Sequence, residues 1–170
     1  SDKSMEKSQT QKKVLITGVA GFIGSNLADV LLKNGYAVSG IDNLSYGIRE
    51  QVPTGVVFHE LDIRSRDIYP VLKGVDYVFH LAAKNCIADC QADPVETADI
   101  NVTGTVNVFE AADRAKVKKV IYAESSAVYE GIEKLPSTED AVAPESFYGV
   151  SKAAEAIFVD AYARFRKIPF

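Results

Sequence analysis

The 170-residue chain has no tryptophan, one methionine, two cysteines and two histidines. Each scarcity closes off a class of protein. Two cysteines four apart, Cys86 and Cys90, are too few for a disulfide scaffold, and as metal ligands they lack companions. His59 and His80 each belong to an apolar run and lack the spacing of a zinc site, so no metal is expected. An excess of positive charge is also missing. Nineteen Lys and Arg are dispersed among 23 Asp and Glu, for a net charge of −4, which excludes a basic footprint for nucleic acid or an anionic membrane. No apolar run approaches the roughly 20 residues that span a bilayer, and the polar start SDKSMEKSQTQKK lacks the apolar segment of a signal peptide, so a cytoplasmic location is expected. The only methionine is Met5; Ser1 to Ser4 read as a cloning remnant and residues 1–12 as a disordered or tag-derived tail.

What is present is a regular alternation. With 47% hydrophobic and 25% charged residues the chain has the makings of one globular domain, residues 13–170. Short β-branched runs alternate with longer segments of helical spacing, the pattern of βαβ units. This predicts an α/β fold with a doubly wound parallel sheet, buried on both faces. Strands are expected at Val14–Thr17, Ala37–Ile41, Val56–Glu60, Tyr77–Leu81 and Lys119–Ala123. Helices are expected at Phe22–Asn34, with Ile23, Leu27, Val30 and Leu31 on one face and Gly35 as its cap; at Arg66–Leu72; at Pro94–Lys116, with an apolar set of Val102, Val106, Phe109 and Ala112; and at Phe147–Arg166, with Ala154, Ile157, Phe158, Ala161 and Phe165 on one side. The chain stops at RKIPF, where a further strand is expected, so the sheet reads as truncated before its last strands.

The segment KVLIT runs into GVAGFIGSN, with Gly18, Gly21 and Gly24 spaced by three. Such a triplet between strand and helix serves a tight turn, close approach of a pyrophosphate to backbone N–H groups, and close packing of helix on strand. An acid follows at the end of the second strand. Asp42 can accept hydrogen bonds from the adenosine ribose and would repel a 2′-phosphate, which favours NAD over NADP. Asp62 is placed to receive the adenine amino group, with Ile63 covering the ring. Tyr148 and Lys152 stand four apart in YGVSK, on one helix face, where both could reach a nicotinamide ribose. A free phenol has a pKa near about 10, and a neighbouring ammonium favours the phenolate a base requires.

The spacing Gly18-x-x-Gly21-x-x-Gly24 resembles that of the short-chain dehydrogenase/reductase superfamily, a Rossmann fold. With DNLS (Asp42 to Ser45), LDIR (Leu61 to Arg64), HLAA (His80 to Ala83), NVTGT (Asn101 to Thr105), SSAVY (Ser125 to Tyr129) and YGVSK, the chain resembles the extended branch, the NAD-dependent epimerase/dehydratase family acting on nucleotide sugars. The resemblance covers the chain from Lys13 onward. It implies Tyr148 as acid/base, Lys152 as ribose anchor and modulator of the tyrosine, and Ser125 as the hydroxyl bridging substrate and tyrosine, with Ser126 as a substrate contact. It also implies cofactor contacts at Phe22, Ile23, Asn43, Leu81, Ala82, Ala83 and Lys84. The implied reaction is oxidation of the sugar at C4 with hydride passing to NAD⁺, leaving a 4-keto intermediate.

Sugar 4,6-dehydratases of the family carry Asp-Glu after the catalytic hydroxyl; Ser126 and Ala127 stand there instead. The implied outcome is therefore 4-epimerisation, as in the UDP-glucose 4-epimerase-like members, with decarboxylation or dehydration, or a non-catalytic NAD-binding scaffold, as alternatives. Glu130 stands where the family usually has glycine, and KNCIADCQ (Lys84 to Gln91) departs from the usual loop. The family's C-terminal substrate domain is absent from the chain, so the isolated fragment is expected to be inactive. A homodimer through the helices at Pro94–Lys116 and Phe147–Arg166 is implied as well.

Overall fold

A computed structural model describes residues 11–124 and 144–170. Five strands, β1 (Lys13–Thr17), β2 (Ala37–Asp42), β3 (Val57–Glu60), β4 (Tyr77–His80) and β5 (Lys119–Tyr122), form one parallel sheet in the order β3-β2-β1-β4-β5. Alternate side chains of β1 feed two cores. Val14 and Ile16 join Ala28 of helix α1 (Phe22–Lys33) and Val38 on one side. Leu15 joins Phe109 of α4 (Gly104–Arg114) and Val159 of the Phe147–Arg166 helix on the other. A strand buried on both faces has no polar side, which is why these runs read as continuously apolar. Between β1 and β4 the chain reverses its winding direction, and ligands of such sheets bind outside the carboxyl ends of the strands at that point.

Strand ends fall within a residue of those expected. The helices differ more. The Arg66–Leu72 segment is two 3₁₀ turns, Arg66–Ile68 and Pro70–Leu72, because Pro70 has no N–H to continue a helical ladder. The Pro94–Lys116 segment is broken into α3 (Pro94–Ala98), a π-helical turn (Asp99–Thr103) and α4, preceded by the short α2 (Ile87–Ala92). The wide turn presents Asn101 inward, fully buried, and Gly104 lets Ile63 lie against the helix, since a Cβ there would meet Ile63 Cδ1 at 2.7 Å. Helix α1 ends as its sequence implies: Gly35 has φ +85, and Tyr36 N–H closes on Leu31 O at 3.1 Å, a left-handed glycine stop.

In two helices the buried line differs from the apolar set. In α1 the buried side is Gly24, Ser25 and Ala28, flanked by Leu27 and Leu31, while Ile23 and Val30 stand 69% and 54% exposed. Close packing on β1 leaves room only for small residues on the helix's innermost line. The final helix, α5 (Phe147–Arg166), buries Ser151, Lys152, Glu155 and Val159, whereas Ile157, Phe158 and Phe165 point to solvent. Its polar groups face inward because partners await them there, and its apolar stripe is left outside. In the Pro94–Lys116 segment Phe109 and Ala112 are fully buried, with Val102 and Val106 half-buried.

Residues 11 and 12 join the sheet's start: Ala37 N–H donates to Lys12 O at 2.9 Å and Gln11 Nε2 to Gly35 O at 2.8 Å. After α5, Lys167 turns the chain at φ +56. Val120 N–H then donates to Pro169 O at 3.0 Å, and Ile168 is buried, so the terminal residues return to the outer edge of β5.

Candidate active site

The glycine loop is set by the end of β1. Gly18 turns at φ +73, and its N–H donates to Ile41 O at 2.8 Å. A Cβ at Gly18 would lie 2.9 Å from Ala82 N, so the loop and the β4 end approach backbone to backbone. A Cβ at Gly24 would collide with Gly18 O and lie 2.9 Å from Val19 Cα; that glycine serves helix-on-strand packing. Helix α1 begins at Gly21 with no capping side chain and no acid in its first turn, leaving its N-terminal N–H groups available to an anion.

Beside this loop lies a cavity of about 330 Å³. Its walls come from the carboxyl ends of the strands: Gly18, Gly21 and Phe22 after β1, Asp42 and Asn43 after β2, Asp62 and Ile63 after β3, and Leu81 to Lys84 after β4. Ile23 and Gly24, expected among the cofactor contacts, do not line it, and neither do Tyr148 and Lys152. Sequence reasoning did not single out Tyr46, Asn85 and Glu96, which also line it.

Asp42 is fixed from both sides. Oδ2 accepts from Ala20 N–H at 3.0 Å and Oδ1 from Leu44 N–H at 2.8 Å. Each carboxylate oxygen keeps a lone pair for a further donor. Asp62 is more heavily engaged: Arg64 donates through its backbone N–H, Nε and Nη2 at 2.9, 3.0 and 2.8 Å, and Asn43 Nδ2 adds a bond at 3.1 Å. These bonds to Arg64 hold the Asp62 carboxyl down at about 2. Arg64 also reaches Asp99 at 2.8 Å, so the β3 end is tied to the π turn.

Lys84 has a side chain only 4% exposed, and its ammonium meets Glu96 Oε2 at 2.6 Å; that bond raises its pKa. Its backbone is clamped by Asn101, whose Oδ1 accepts from Lys84 N–H at 2.7 Å and whose Nδ2 donates to Lys84 O at 2.9 Å. Asn101 Nδ2 also lies 2.9 Å from Ser151 Oγ on α5. One asparagine in the π turn thus joins the cavity wall to the helix that carries the tyrosine and lysine. Its sequence signal was a lone amide within the buried helical stretch NVTGT.

At the head of α5, Ser146 Oγ caps Gly149 N–H at 3.0 Å. Tyr148 is half-buried and Lys152 buried, with Lys152 Nζ donating to Ala123 O at 2.8 Å beyond the end of β5. Ser125, Ser126 and Glu130 lie outside the described residues. Cys86 is exposed and Cys90 buried, and both are free thiols. Among the described residues no group of three or more metal-ligating side chains occurs, and no helix is long and apolar enough to cross a membrane.

A glycine turn under an uncapped helix, a fixed acid at the next strand end and a cleft at the point of reversed winding define a dinucleotide-binding α/β protein; the residues present fit that group. The chain belongs to the NAD dependent epimerase/dehydratase family, matched over residues 14–170. It is 35% identical over 161 residues to a putative UDP-glucose 4-epimerase of Methanocaldococcus jannaschii, covering 92% of this chain and 53% of that protein. Its fold superposes on UDP-glucose 4-epimerase from Thermotoga maritima, solved with UDP-glucose, at a TM-score of 0.87 and 33% identity, covering 92% of this chain and 52% of that one. A dTDP-glucose 4,6-dehydratase from Streptomyces venezuelae, solved with NAD and TYD bound, matches at 0.86 and 30%, covering 92% and 53%. The chain spans about half the length of these relatives.

Proposed function

We propose that this chain is the cofactor-binding portion of an NAD-dependent nucleotide-sugar 4-epimerase. The observation that carries the reading is the cavity at the carboxyl ends of β1, β2 and β4, walled by Gly18, Gly21, Asp42 and Leu81 to Lys84. When bound, NAD supplies a reversible hydride acceptor for the sugar carbon. The uncapped N-terminus of α1 and the bare glycine backbone bind the pyrophosphate, Asp42 receives ribose hydroxyls, and Ile63 covers the adenine. Lys152 holds the second ribose and lends positive charge to Tyr148 one turn before it. Tyr148 removes the proton from the sugar 4-hydroxyl, bridged by Ser125, and returns it when the 4-keto sugar is reduced from the opposite face. The relatives' names support a UDP-sugar substrate. The absence of an acid at Ala127 favours epimerisation over dehydration.

The exposed stripe of Ile157, Phe158 and Phe165 on α5 supports a homodimer that buries it against a second copy. The deciding experiment is calorimetry with NAD, followed by turnover of UDP-glucose, in the complete natural protein. Saturable NAD binding with interconversion of the 4-epimers is expected. Failure to bind NAD by a folded sample sinks the reading, and turnover by Tyr148→Phe within tenfold of the unaltered protein removes the tyrosine from its role. Loss of about 100-fold or more is expected for that variant.

A further inference from the structure

Behind the cavity a continuous array of polar side chains crosses the core. Lys152, Glu155, His80, Thr105 and Thr17 are each at most 4% exposed. Thr17 Oγ1, at the end of β1, accepts from Leu81 N–H at 3.0 Å and Ala82 N–H at 3.1 Å. Its own proton is then free for His80 Nδ1, at 2.6 Å. Nδ1 is therefore the acceptor and Nε2 carries the imidazole hydrogen, which it donates to Thr105 Oγ1 at 2.8 Å. Thr105 in turn donates to Glu155 Oε1 at 2.8 Å. The other oxygen of Glu155 has no regular hydrogen bond among the described residues, and the Lys152 ammonium stands 3.0 Å from it. From Leu81 and Ala82 to Glu155 each donor is used once and the bonds run in one direction, and the Lys152 ammonium faces the carboxylate from the far end.

The same count fixes the charge on Glu155. Burial raises its pKa, but a neutral acid needs an acceptor for its proton, and among the described residues the two groups that touch the carboxyl, Thr105 and Lys152, are both donors. Glu155 is the carboxylate. His80, by contrast, is held neutral, since burial first and then the Lys152 charge depress its pKa to about 3.

We propose that Glu155 is a positioning residue that holds the Lys152 ammonium in place and, through Thr105, His80 and Thr17, ties it to the Leu81–Ala82 backbone on the cavity wall. The role presupposes the reading of Lys152 as ribose anchor given above. An ammonium has three N–H donors; among the described residues Ala123 O accepts one and the Glu155 carboxylate attracts a second as an ion pair, which leaves one for the cofactor. Without Glu155 the flexible lysine has one tether, and its position no longer follows that of the wall against which the cofactor rests.

The test is a double-mutant cycle of Glu155→Gln and Lys152→Met in the complete protein, read in turnover, NAD affinity and thermal stability. Glu155→Gln keeps an acceptor for Thr105 but withdraws the negative charge; a loss of about tenfold in NAD affinity or turnover is expected. In the Lys152→Met background the same substitution should cost nothing further, and it should restore stability by removing the carboxylate stranded there. Thr105→Ser should retain function and Thr105→Val should weaken it, an arm that holds even if Glu155→Gln does not fold. Additive losses, or coupling in stability with none in turnover or affinity, would overturn the positioning role while leaving Lys152 as the anchor. A Lys152→Met protein with unaltered NAD affinity and turnover would instead overturn the reading of Lys152, and the positioning role with it.

Discussion

Gly18 shows how little latitude a single residue has at this site. It has positive φ, and backbone of the neighbouring strand end lies where its Cβ would be. Gly18→Ala should cost about 2 kcal/mol of stability and weaken NAD binding as well, because the loop must move away from Ala82 to admit a methyl group. Chemical denaturation and calorimetry on one sample check both. His80 carries a different signature. Its folded pKa of about 3 lies below the ordinary histidine value of 6.5, so the unfolded chain binds the extra proton between those values. Stability from this residue is complete above 6.5 and is lost as pH falls toward 3. In His80→Gln the difference in urea midpoint between about pH 8 and about pH 5 should shrink. An undiminished difference would assign the acid sensitivity to other groups.

Among the elements, α5 is the most divided. One face presents Ser151, Lys152 and Glu155 to the core, while Ile157 on the opposite side and Phe165 in the last turn stand 70% and 73% exposed. In the function proposed above, the buried face would hold the acid/base helix to the cavity wall and the exposed residues would meet a second copy. Ile157→Glu should shift the protein in size-exclusion chromatography toward the monomer. Stability per chain measured at low concentration should change by less than about 0.5 kcal/mol, the usual range for an exposed position. An unaltered elution volume counts against the homodimer. The interrupted α3–α4 segment has a comparable division of labour. Its π turn brings Asn101 to both the Lys84 backbone and Ser151, a link that a regular helix over Pro94–Lys116 would not have been expected to supply.

For the whole molecule, the cavity lies where four strand ends converge, and a ligand bound there bridges both halves of the sheet. NAD should therefore raise the melting temperature. At a concentration 100 times its dissociation constant the gain is about 2.7 kcal/mol if only the folded chain binds, and a thermal melt with and without NAD measures it. No shift at saturating NAD would separate this chain from the cofactor its family is named for.

The fold class, the strand positions to within a residue or so, the glycine turn and the spacing of Tyr148 and Lys152 can all be read from the order of the residues. These are legible because β-branched runs, glycine triplets and i,i+4 pairs are local patterns with local physical causes. Which way α1 and α5 face could not be read in that way, because burial depends on what packs opposite. A helix laid tightly on a strand buries Gly24 and Ala28 rather than Ile23, and a helix with ionic partners in the core turns Lys152 and Glu155 inward and Phe158 outward. The same holds for the array from Thr17 to Glu155. Its members lie as far as 138 positions apart in sequence (155 − 17), and no local pattern joins them; the parallel sheet brings β1 beside β4 and lays α4 and α5 over both.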